Sequence, residues 1–267
     1  MGERQGMMQE TAYAKLNLAL HVRARRPDGY HRIETIFAFC EHGDVLSYSE
    51  ASWLSVAVIG PFAVDLANGT PNSVELTAQR LLLTGAFVLD KKLPVAAGIG
   101  GGSADAAATL RLAGRIQGLS QEEMMGIAPG LGADGPACLL SRTARGDGKG
   151  DLVAPLDIPG LADTPVLLVN PGVPVRTPSV FAGWDGVDRG PLDDWESGGN
   201  DLEAPARRLA PVIGEVLDAL AGARVARMSG SGATCFGLYA DKADRDAAAA
   251  RIAAAHPGWW LLRSRLR

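Results

Sequence analysis

Apolar side chains occupy every second position along residues 11–22, which is the spacing of a β-strand with one buried face. The apolar face contains Ala12, Ala14, Leu16, Leu18, Leu20 and Val22. The other face contains Tyr13, Lys15, Asn17 and His21, so Lys15 and Asn17 point in the same direction. Such a polar face lies either in a cleft or in water, and a solvated face is the commoner case.

Further elements are predicted up to about residue 140. The predicted strands are residues 34–39 and 45–49. The predicted helices are residues 73–85, 104–117 and a short segment after Ser120. Pro71 and Asn72 are start signals for the first helix, and Gly118 is a stop signal for the second. Asp134 precedes Pro136 at the start of another helix, where a carboxylate would ordinarily act as an N-cap.

The second half of the chain alternates short apolar runs with helical segments. The predicted strands are residues 166–169, 224–228, 233–239 and 259–262. The predicted helices begin near Leu202 and Pro211 and span residues 242–255. Residues 183–200 are polar, rich in glycine and without periodicity, and are therefore predicted to be mobile. The whole pattern predicts an α+β fold.

The length of the chain favours two domains. A chain of 267 residues with 47% hydrophobic and 21% charged residues can bury a large core. Residues 141–160 are rich in Gly, Asp and Pro, which is typical of a connection between domains. We therefore predict an N-terminal domain of residues 1–155 and a C-terminal domain of residues 156–267.

Charge and cysteine content narrow the class of protein. The formal net charge of −4 argues against nucleic-acid partners, so any phosphate binding must be local. Cys40, Cys138 and Cys235 are widely spaced and form no CxxC pattern, which disfavours a disulfide framework or a zinc site and fits a reducing cytoplasm. Residues 1–10 lack an apolar signal core and the apolar run at 81–89 is too short for a membrane span, so no membrane partner is expected.

A glycine-rich loop precedes the helix predicted at 104–117. The sequence from Pro94 to Ala107 is PVAAGIGGGSADAA. Because Gly98, Gly100, Gly101 and Gly102 have no Cβ, their backbone can turn several N–H groups toward one point. The helix that begins near Ser103 and Ala104 adds unpaired first-turn N–H groups and the positive end of its dipole. The loop therefore predicts a site for a di- or triphosphate.

The two familiar phosphate-loop patterns do not match this loop. A Walker A motif requires Gly-Lys followed by Ser or Thr, whereas Gly102 is followed by Ser103 and Ala104. The dinucleotide fingerprint requires a βαβ unit, and none is evident around the loop. A mobile glycine loop without a ligand is the alternative that the spacing leaves open.

Three signatures resemble those of the GHMP kinase superfamily, in the same order and with similar spacing. They are Ala14-Lys-Leu-Asn17, the loop from Pro94 to Ala107, and Met228-Ser-Gly-Ser-Gly-Ala233. The resemblance implies a two-domain α+β fold with the active site in the cleft between the domains. It also implies ATP as the phosphoryl donor.

Further segments resemble one branch of that superfamily. They are residues 14–18, 26–31, Thr35, Phe37, 131–134, 169–172, 177–181 and 200–202, which extend over nearly the whole chain. The branch phosphorylates the 2-hydroxyl of 4-diphosphocytidyl-2-C-methyl-D-erythritol, in the methylerythritol phosphate route to isoprenoid precursors. The resemblance therefore implies a cytidine diphosphate-linked small molecule as the substrate, and ATP with Mg²⁺ as the cofactors.

The resemblance also implies roles for individual residues. Lys15 and Asp134 match the catalytic pair. The residues that match nucleotide-binding positions are Pro94, Gly98, Gly100, Gly101, Gly102, Ser103, Ala104, Asn72 and Lys91. The residues that match substrate-binding positions are Asn17, Tyr30, His31, Phe37, Thr177 and Phe181, with aromatic rings stacking on the cytosine and His31 hydrogen-bonding to it. No residue is matched to a metal-binding position.

Two departures and two alternatives accompany the resemblance. Many relatives have Ser-Ser-Asn where this chain has Ser103-Ala104-Asp105, and a branched residue where it has Gly135, which predicts a looser backbone beside Asp134. One alternative is another kinase of the superfamily, acting on homoserine, mevalonate or a sugar. The other is a nucleotide-binding regulator in which Lys15 faces solvent and Asp134 only caps a helix.

Overall fold

The computed structural model describes residues 7–67 and 69–267 and contains two β-sheets. The larger sheet has six strands, in the order β3-β4-β2-β5-β6 with β1 paired to β2. Its strands are β1 (Met8–Arg25), β2 (His31–Ser49), β3 (Leu54–Ile59), β4 (Gly85–Asp90), β5 (Ala144–Asp147) and β6 (Leu152–Pro155). The sheet is antiparallel except for the pairing of β3 with β4.

The first two strands form a long hairpin at the centre of the molecule. β2 is one continuous strand where the sequence predicts two, because it pairs with β1 both before and after residues 40–42, where the register shifts. Irregularities in the pairing occur between Tyr13 and Lys15 and between Asn17 and Ala19. Lys15 and Asn17 are only 3% and 2% exposed, so the polar face of β1 lies in a cleft rather than in water.

Helices cover one side of the larger sheet. They are α1 (Ser73–Arg80), α2 (Gly101–Gln117), α3 (Gln121–Ile127) and α4 (Gly135–Leu140), with short 3₁₀ turns at Ala63–Leu66 and Ala128–Leu131. Helix α2 packs its alanine-rich face, including Ala104, Ala107 and Ala108, into the core beneath this sheet. It ends as predicted at Gly118, which adopts a left-handed conformation with φ of 72°.

Helix α1 is shorter than the sequence predicts. It ends at Arg80, and Leu82 then has a positive φ of 53°. Gly85 begins β4, and a Cβ on this residue would lie 2.2 Å from the ring of Tyr48. Residues 81–84 therefore form a turn between α1 and β4, and the predicted helix extends five residues too far.

The smaller sheet is formed by the second half of the chain. Its strands are β7 (Pro165–Asn170), β8 (Val225–Met228), β9 (Cys235–Leu238) and β10 (Trp260–Arg265), in the order β10-β7-β9-β8. Its helices are α5 (Thr177–Ala182), α6 (Glu203–Leu209), α7 (Val212–Ala219) and α8 (Lys242–Ala255). Every residue of β7 is buried, which explains the continuous apolar run in the sequence.

The two sheets share a core. Leu16 and Leu18 of β1 belong to the same buried cluster as Val166 and Phe236 of the smaller sheet. The larger sheet ends at Pro155 and the smaller begins at Pro165. Because β1 contributes to both halves of the molecule, the predicted division at residue 155 stays a prediction.

Contacts attach residues 183–200 to this framework, although the segment was predicted to be mobile. Trp184 is buried, and the backbone N–H of Leu192 donates to the Glu34 carboxylate at 2.8 Å. The Arg227 guanidinium also donates to the carbonyl of Trp195 at 2.9 Å. In the part of the chain that the structure describes, no helix is long and apolar enough to span a membrane.

Candidate active site

A cavity of about 750 Å³ opens where β1, both glycine-rich turns and α5 meet. Most of the residues singled out from the sequence line it. They are Lys15, Asn17, Tyr30, His31, Gly98, Gly100, Gly101, Gly102, Ser103, Asp134, Thr177 and Phe181. Residues from both halves of the chain therefore converge on one space large enough for small organic ligands.

The ammonium of Lys15 lies at the centre of this cavity. Its Nζ is 3.1 Å from Oδ2 of Asp134 and donates to Oδ1 of Asn17 at 2.8 Å. Asn17 is held in turn by its Nδ2, which donates to Thr35 Oγ1 at 2.8 Å. The Lys15 side chain is 4% exposed and that of Asp134 is 31% exposed. The cation is thus fixed in place, while the carboxylate remains accessible from the cavity.

Asp134 does not cap the helix that it precedes. It stands at the N-cap position of α4, but its side chain makes no capping hydrogen bond there. Its carboxylate pairs with Lys15 instead. The ordinary structural role for an aspartate before a proline-initiated helix is therefore not used, which leaves this carboxylate free for chemistry.

Close backbone packing accounts for Gly135. A Cβ on this residue would lie 2.2 Å from the carbonyl oxygen of Ala128, in the 3₁₀ turn before α4. Such a contact is far shorter than atoms tolerate, so only glycine allows the turn to pack there. The backbone beside Asp134 is tightly packed, in contrast to the looser backbone predicted from this departure.

The glycine loop closes one end of the cavity. Gly98 and Gly100 have φ of 76° and 67°, which is the left-handed region that favours glycine. Gly100 is the N-cap of α2 and offers no side-chain cap, so the first-turn N–H groups of α2 remain available to a ligand. The backbone N–H of Lys15 donates to the carbonyl of Ile99 at 3.0 Å, which ties the loop to β1.

The second glycine turn, residues 229–232, packs against the first. A Cβ on Gly98 would lie 2.6 Å from the carbonyl oxygen of Ser229, so the two turns touch through their backbones. The Ser229 hydroxyl donates to the Gly98 carbonyl at 3.0 Å and accepts from the Asn17 backbone N–H at 3.2 Å. Asn200 donates to the carbonyl of Gly230 at 2.8 Å. Strand β1 and both turns therefore form one hydrogen-bonded unit.

Aromatic rings close the other end of the cavity. The rings of His31 and Phe181 lie 4.9 Å apart between centroids, and Trp184 contacts His31 edge-on at 5.8 Å. The buried Nε2 of His31 has no hydrogen-bond partner within the protein. Burial and the nearby Arg25 guanidinium lower the pKa of His31. The neutral imidazole lines the cavity beside Phe181, while its Nε2 is itself buried.

Lys149 is a cavity residue that sequence analysis missed. It lies in the turn between β5 and β6, and its Nζ is 4.8 Å from the ring centroid of Tyr30. Tyr30 itself is 54% exposed at the rim of the cavity. The Gly-Lys-Gly sequence of residues 148–150 could have drawn attention to this cation. Its place beside Tyr30 depends on the fold and is not visible in the sequence.

Five of the predicted ligand-binding residues do not line the cavity. Pro94 and Ala104 are buried in the loop and in α2. Asn72 caps α1, because its Oδ1 accepts from the backbone N–H groups of Val74 and Glu75. Phe37 is fully buried, with its ring centroid 5.5 Å from Lys15 Nζ. The fifth, Lys91, lies behind the glycine loop.

Lys91 is part of a buried ionic cluster with Asp44 and Asp105. Its Nζ is 2.5 Å from Asp44 Oδ2 and 2.7 Å from Asp105 Oδ2, and all three residues are almost completely buried. The other oxygen of Asp105 has no partner. Burial and the neighbouring Asp44 carboxylate raise the pKa of Asp105 to about 7, against the opposing effect of Lys91. This cluster was not predicted, since its members are separated by 14 to 61 positions along the chain.

Comparison with known proteins defines the class first. Residues 70–142 match the model for the GHMP kinases N-terminal domain, and residues 189–258 match the model for the GHMP kinases C-terminal domain. The fold of homoserine kinase from Cytophaga hutchinsonii is similar, with a TM-score of 0.73 over 100% of this chain and 96% of that chain at 17% identity. The chain is a member of the GHMP kinase superfamily, which confirms the resemblance found in the sequence.

Closer relatives define the family. A protein of Rhizorhabdus wittichii named 4-diphosphocytidyl-2-C-methyl-D-erythritol kinase is 54% identical, covering 97% of this chain and 94% of that protein. One of the same name from Novosphingobium aromaticivorans is 50% identical, with coverage of 97% and 93%. A crystal structure of 4-(cytidine 5'-diphospho)-2C-methyl-D-erythritol kinase has a TM-score of 0.81 at 33% identity, with coverage of 97% and 99%. The chain belongs to the 4-diphosphocytidyl-2-C-methyl-D-erythritol kinase family.

Proposed function

We propose that this protein transfers the γ-phosphoryl group of ATP to the 2-hydroxyl of 4-diphosphocytidyl-2-C-methyl-D-erythritol, in the methylerythritol phosphate route to isoprenoid precursors. The observation that carries the proposal is the Lys15–Asp134 pair, 3.1 Å apart inside a cavity that both glycine turns help to line. The family of the closely related proteins indicates the substrate. Within the cavity we assign the glycine loop to the phosphates of ATP, Asp134 to the reacting hydroxyl and the aromatic end to the cytidyl group.

The glycine loop is the site for the phosphates of ATP. Gly100, Gly101 and Gly102 line the cavity at the N-terminus of α2, where backbone N–H groups and the helix dipole attract anions. Ser103 adds a hydroxyl in the first turn. An electrostatic cradle of this kind holds the γ-phosphoryl group in position for in-line transfer.

Asp134 is the proposed general base. A tertiary hydroxyl is a poor nucleophile, and a carboxylate within hydrogen-bond reach can accept its proton as the oxygen attacks. The new bond joins the 2-oxygen to the γ-phosphorus, while the bond from that phosphorus to the β,γ-bridging oxygen breaks and ADP leaves. Lys15 holds Asp134 in place and stabilises the negative charge that develops on the transferred group.

The aromatic end of the cavity is the proposed cytidyl site. Phe181 and Tyr30 offer ring faces for stacking, and His31 lines the same end of the cavity, where it is proposed to hydrogen-bond to the base. Lys149, beside Tyr30, supplies a cation at the same rim. We infer that Lys149 faces the diphosphate of the substrate, for which the sequence analysis identified no binding residue.

Magnesium is proposed as a companion of ATP. Among the described residues no group of three His, Cys, Asp or Glu side chains could hold a metal ion. This fits Mg²⁺, which keeps several waters and binds largely through substrate phosphates. Bound there, the ion would neutralise part of the phosphate charge. We also infer a cytoplasmic location, because ATP is abundant there and all three cysteines are free thiols.

A substrate panel tests the proposed function. ATP consumption is measured by a coupled assay with the cytidyl substrate and, as controls, with mevalonate, homoserine and galactose. We expect turnover with the cytidyl substrate and at most background with the controls. Preferential turnover of a control would establish a different kinase of the superfamily. ATP binding without turnover of any acceptor would establish a nucleotide-binding regulator.

His31 is expected to act on substrate binding more than on chemistry. Replacing His31 with alanine removes the ring nitrogen and the stacking contact with Phe181, so KM for the cytidyl substrate should rise about tenfold, equivalent to one good hydrogen bond. The KM for ATP should change less than twofold. His256→Ala is the matched control, because that ring stacks on Trp259 outside the cavity. An unaltered KM for the cytidyl substrate in His31→Ala would show that this residue does not contact the base.

A further inference from the structure

We propose that the buried cluster of Asp44, Lys91 and Asp105 takes up a proton at Asp105 when the glycine loop binds the phosphates of ATP, so that nucleotide affinity depends on the protonation of this cluster. The inference rests on the proposed function, since it takes the loop to be the phosphate site. It assigns Asp105 a positioning role that acts through the loop, without contact with the nucleotide.

The cluster lies directly behind the loop. A Cβ on Gly101 would be 3.3 Å from Lys91 Nζ and 4.0 Å from Asp44 Oδ2. Gly101 also lines the cavity, so the charged cluster and the cavity lie on opposite sides of the same backbone segment. Asp105 is in the second turn of the same helix and is 2% exposed. Little solvent separates the cluster from a bound phosphate, so their charges interact strongly.

The hydrogen bonds show which carboxylate takes the proton. Asp44 is fully engaged, because Oδ2 meets Lys91 and Oδ1 accepts the backbone N–H groups of Lys92 and Leu93 at 2.6 and 2.8 Å. Asp105 meets Lys91 through Oδ2 only, and its Oδ1 is buried without a partner. An ionised Asp105 thus leaves a buried charge half satisfied, which is costly. Protonation makes the cluster neutral, with one ammonium and one carboxylate.

The surrounding elements supply no second counter-charge to Asp105 among the described residues. β2 contributes Asp44, and the turn after β4 contributes Lys91. On β1, Lys15 directs its ammonium to Asp134 and Asn17. The Cys138 thiol of α4, whose pKa is raised by burial, also lies within electrostatic range of Asp105. On α2 itself, Arg111 pairs with Glu10 at the far side of the helix.

A bound polyphosphate disfavours the ionised form of Asp105 further. The ligand brings several negative charges to the cavity side of the loop, and the cluster with an ionised Asp105 is already net negative on the opposite side. Binding therefore raises the pKa of Asp105 above its value in the free protein, and a proton is taken up from solvent. By linkage, affinity is highest below the free-state pKa and falls as pH rises through the range between the two pKa values. One unit of additional shift corresponds to a tenfold loss of affinity.

Calorimetric titration with magnesium ATP tests this coupling. Measurements from pH 6 to pH 9, each in two buffers of different ionisation enthalpy, give both the affinity and the number of protons taken up. Between pH 6 and pH 9 we expect the affinity for magnesium ATP to fall by about tenfold more in the wild-type protein than in Asp105→Asn. Near pH 7 to 8 the wild type should also take up more protons on binding than the variant. The proton linkage of the nucleotide itself is common to both proteins. Asp90→Asn is the matched control, because this carboxylate is one-third exposed beside the exposed Lys92, and it should follow the wild type.

The outcomes separate the inference from the proposed function. Equal pH dependence in the wild type and Asp105→Asn, with ATP still bound, would overturn the inference and leave the kinase proposal standing. Complete absence of ATP binding would overturn both. Asparagine is nearly isosteric with aspartate and leaves Lys91 paired with Asp44, so the variant is expected to fold. Infrared difference spectra of the wild type with and without ATP give a check that needs no variant: a protonated carboxyl band should grow on binding, and its absence would contradict the proposal.

Discussion

Replacing Asp134 with asparagine is expected to lower kcat about a thousandfold while KM for ATP changes less than threefold. The amide is nearly isosteric but cannot accept the proton of the attacking hydroxyl, and general base catalysis contributes roughly 10²–10⁴-fold. In the proposed mode of binding, ATP is held by the glycine loop and the N-terminus of α2, and the Asp134 side chain pairs with Lys15 instead. Steady-state kinetics with the cytidyl substrate and direct titration with ATP measure the two effects separately.

An exposed aspartate gives the control for this variant. Asp218→Asn alters an exposed carboxylate on α7 that does not line the cavity. It should retain kcat within a few-fold. Full turnover in Asp134→Asn would refute the assignment of Asp134 as the base. Loss of ATP binding along with turnover would point to a disturbed loop instead of a missing base.

Replacing Lys15 with methionine is expected to lower kcat about a hundredfold or more. The variant keeps the length and packing of the side chain beside Phe37 but removes the ammonium that contacts Asp134 and Asn17. Loss of one preorganised electrostatic contact to the transition state costs roughly 10²–10³ in kcat. Steady-state rates with the cytidyl substrate measure this loss.

The comparison for Lys15→Met is Lys92→Met, which removes an ammonium whose side chain is 51% exposed beside Asp90. That variant should keep nearly full activity. The double variant Lys15→Met with Asp134→Asn should be little slower than Asp134→Asn alone, because residues that act as a unit are not additive. Additive losses would indicate that the two residues act in separate steps.

Strands and helices with strong periodicity could be predicted from the sequence. The first strand, α2 and α8 have regular apolar spacing and clear end signals, such as Gly118. The region between residues 50 and 90 was less clear. β3 and β4 were not predicted, and the helix predicted at residues 73–85 extends five residues beyond the end of α1, because a short apolar run fits either element. Tertiary packing decides between strand and helix here, because Gly85 packs against Tyr48 on the neighbouring strand.

The site residues that lie within short sequence motifs could be predicted. Lys15, Asp134 and the glycine loop lie within short characteristic sequences, and the structure brings them together. Lys149 was not predicted, because one lysine in a turn is usually solvated and only the fold places it against Tyr30. Lys91 was matched to nucleotide binding, although it lies behind the loop in contact with Asp44 and Asp105. Buried ion pairs between distant residues leave no local pattern in a sequence.

The most direct test is a crystal structure with the cytidyl substrate and a non-hydrolysable ATP analogue bound together. The account predicts the 2-hydroxyl oxygen within hydrogen-bond distance of the Asp134 carboxylate and in line with the γ-phosphorus, with Lys15 beside the transferred group and the cytosine between Tyr30 and Phe181. A complex in which the γ-phosphate lies away from Lys15 and Asp134, or in which the cytosine occupies the glycine loop, would contradict it.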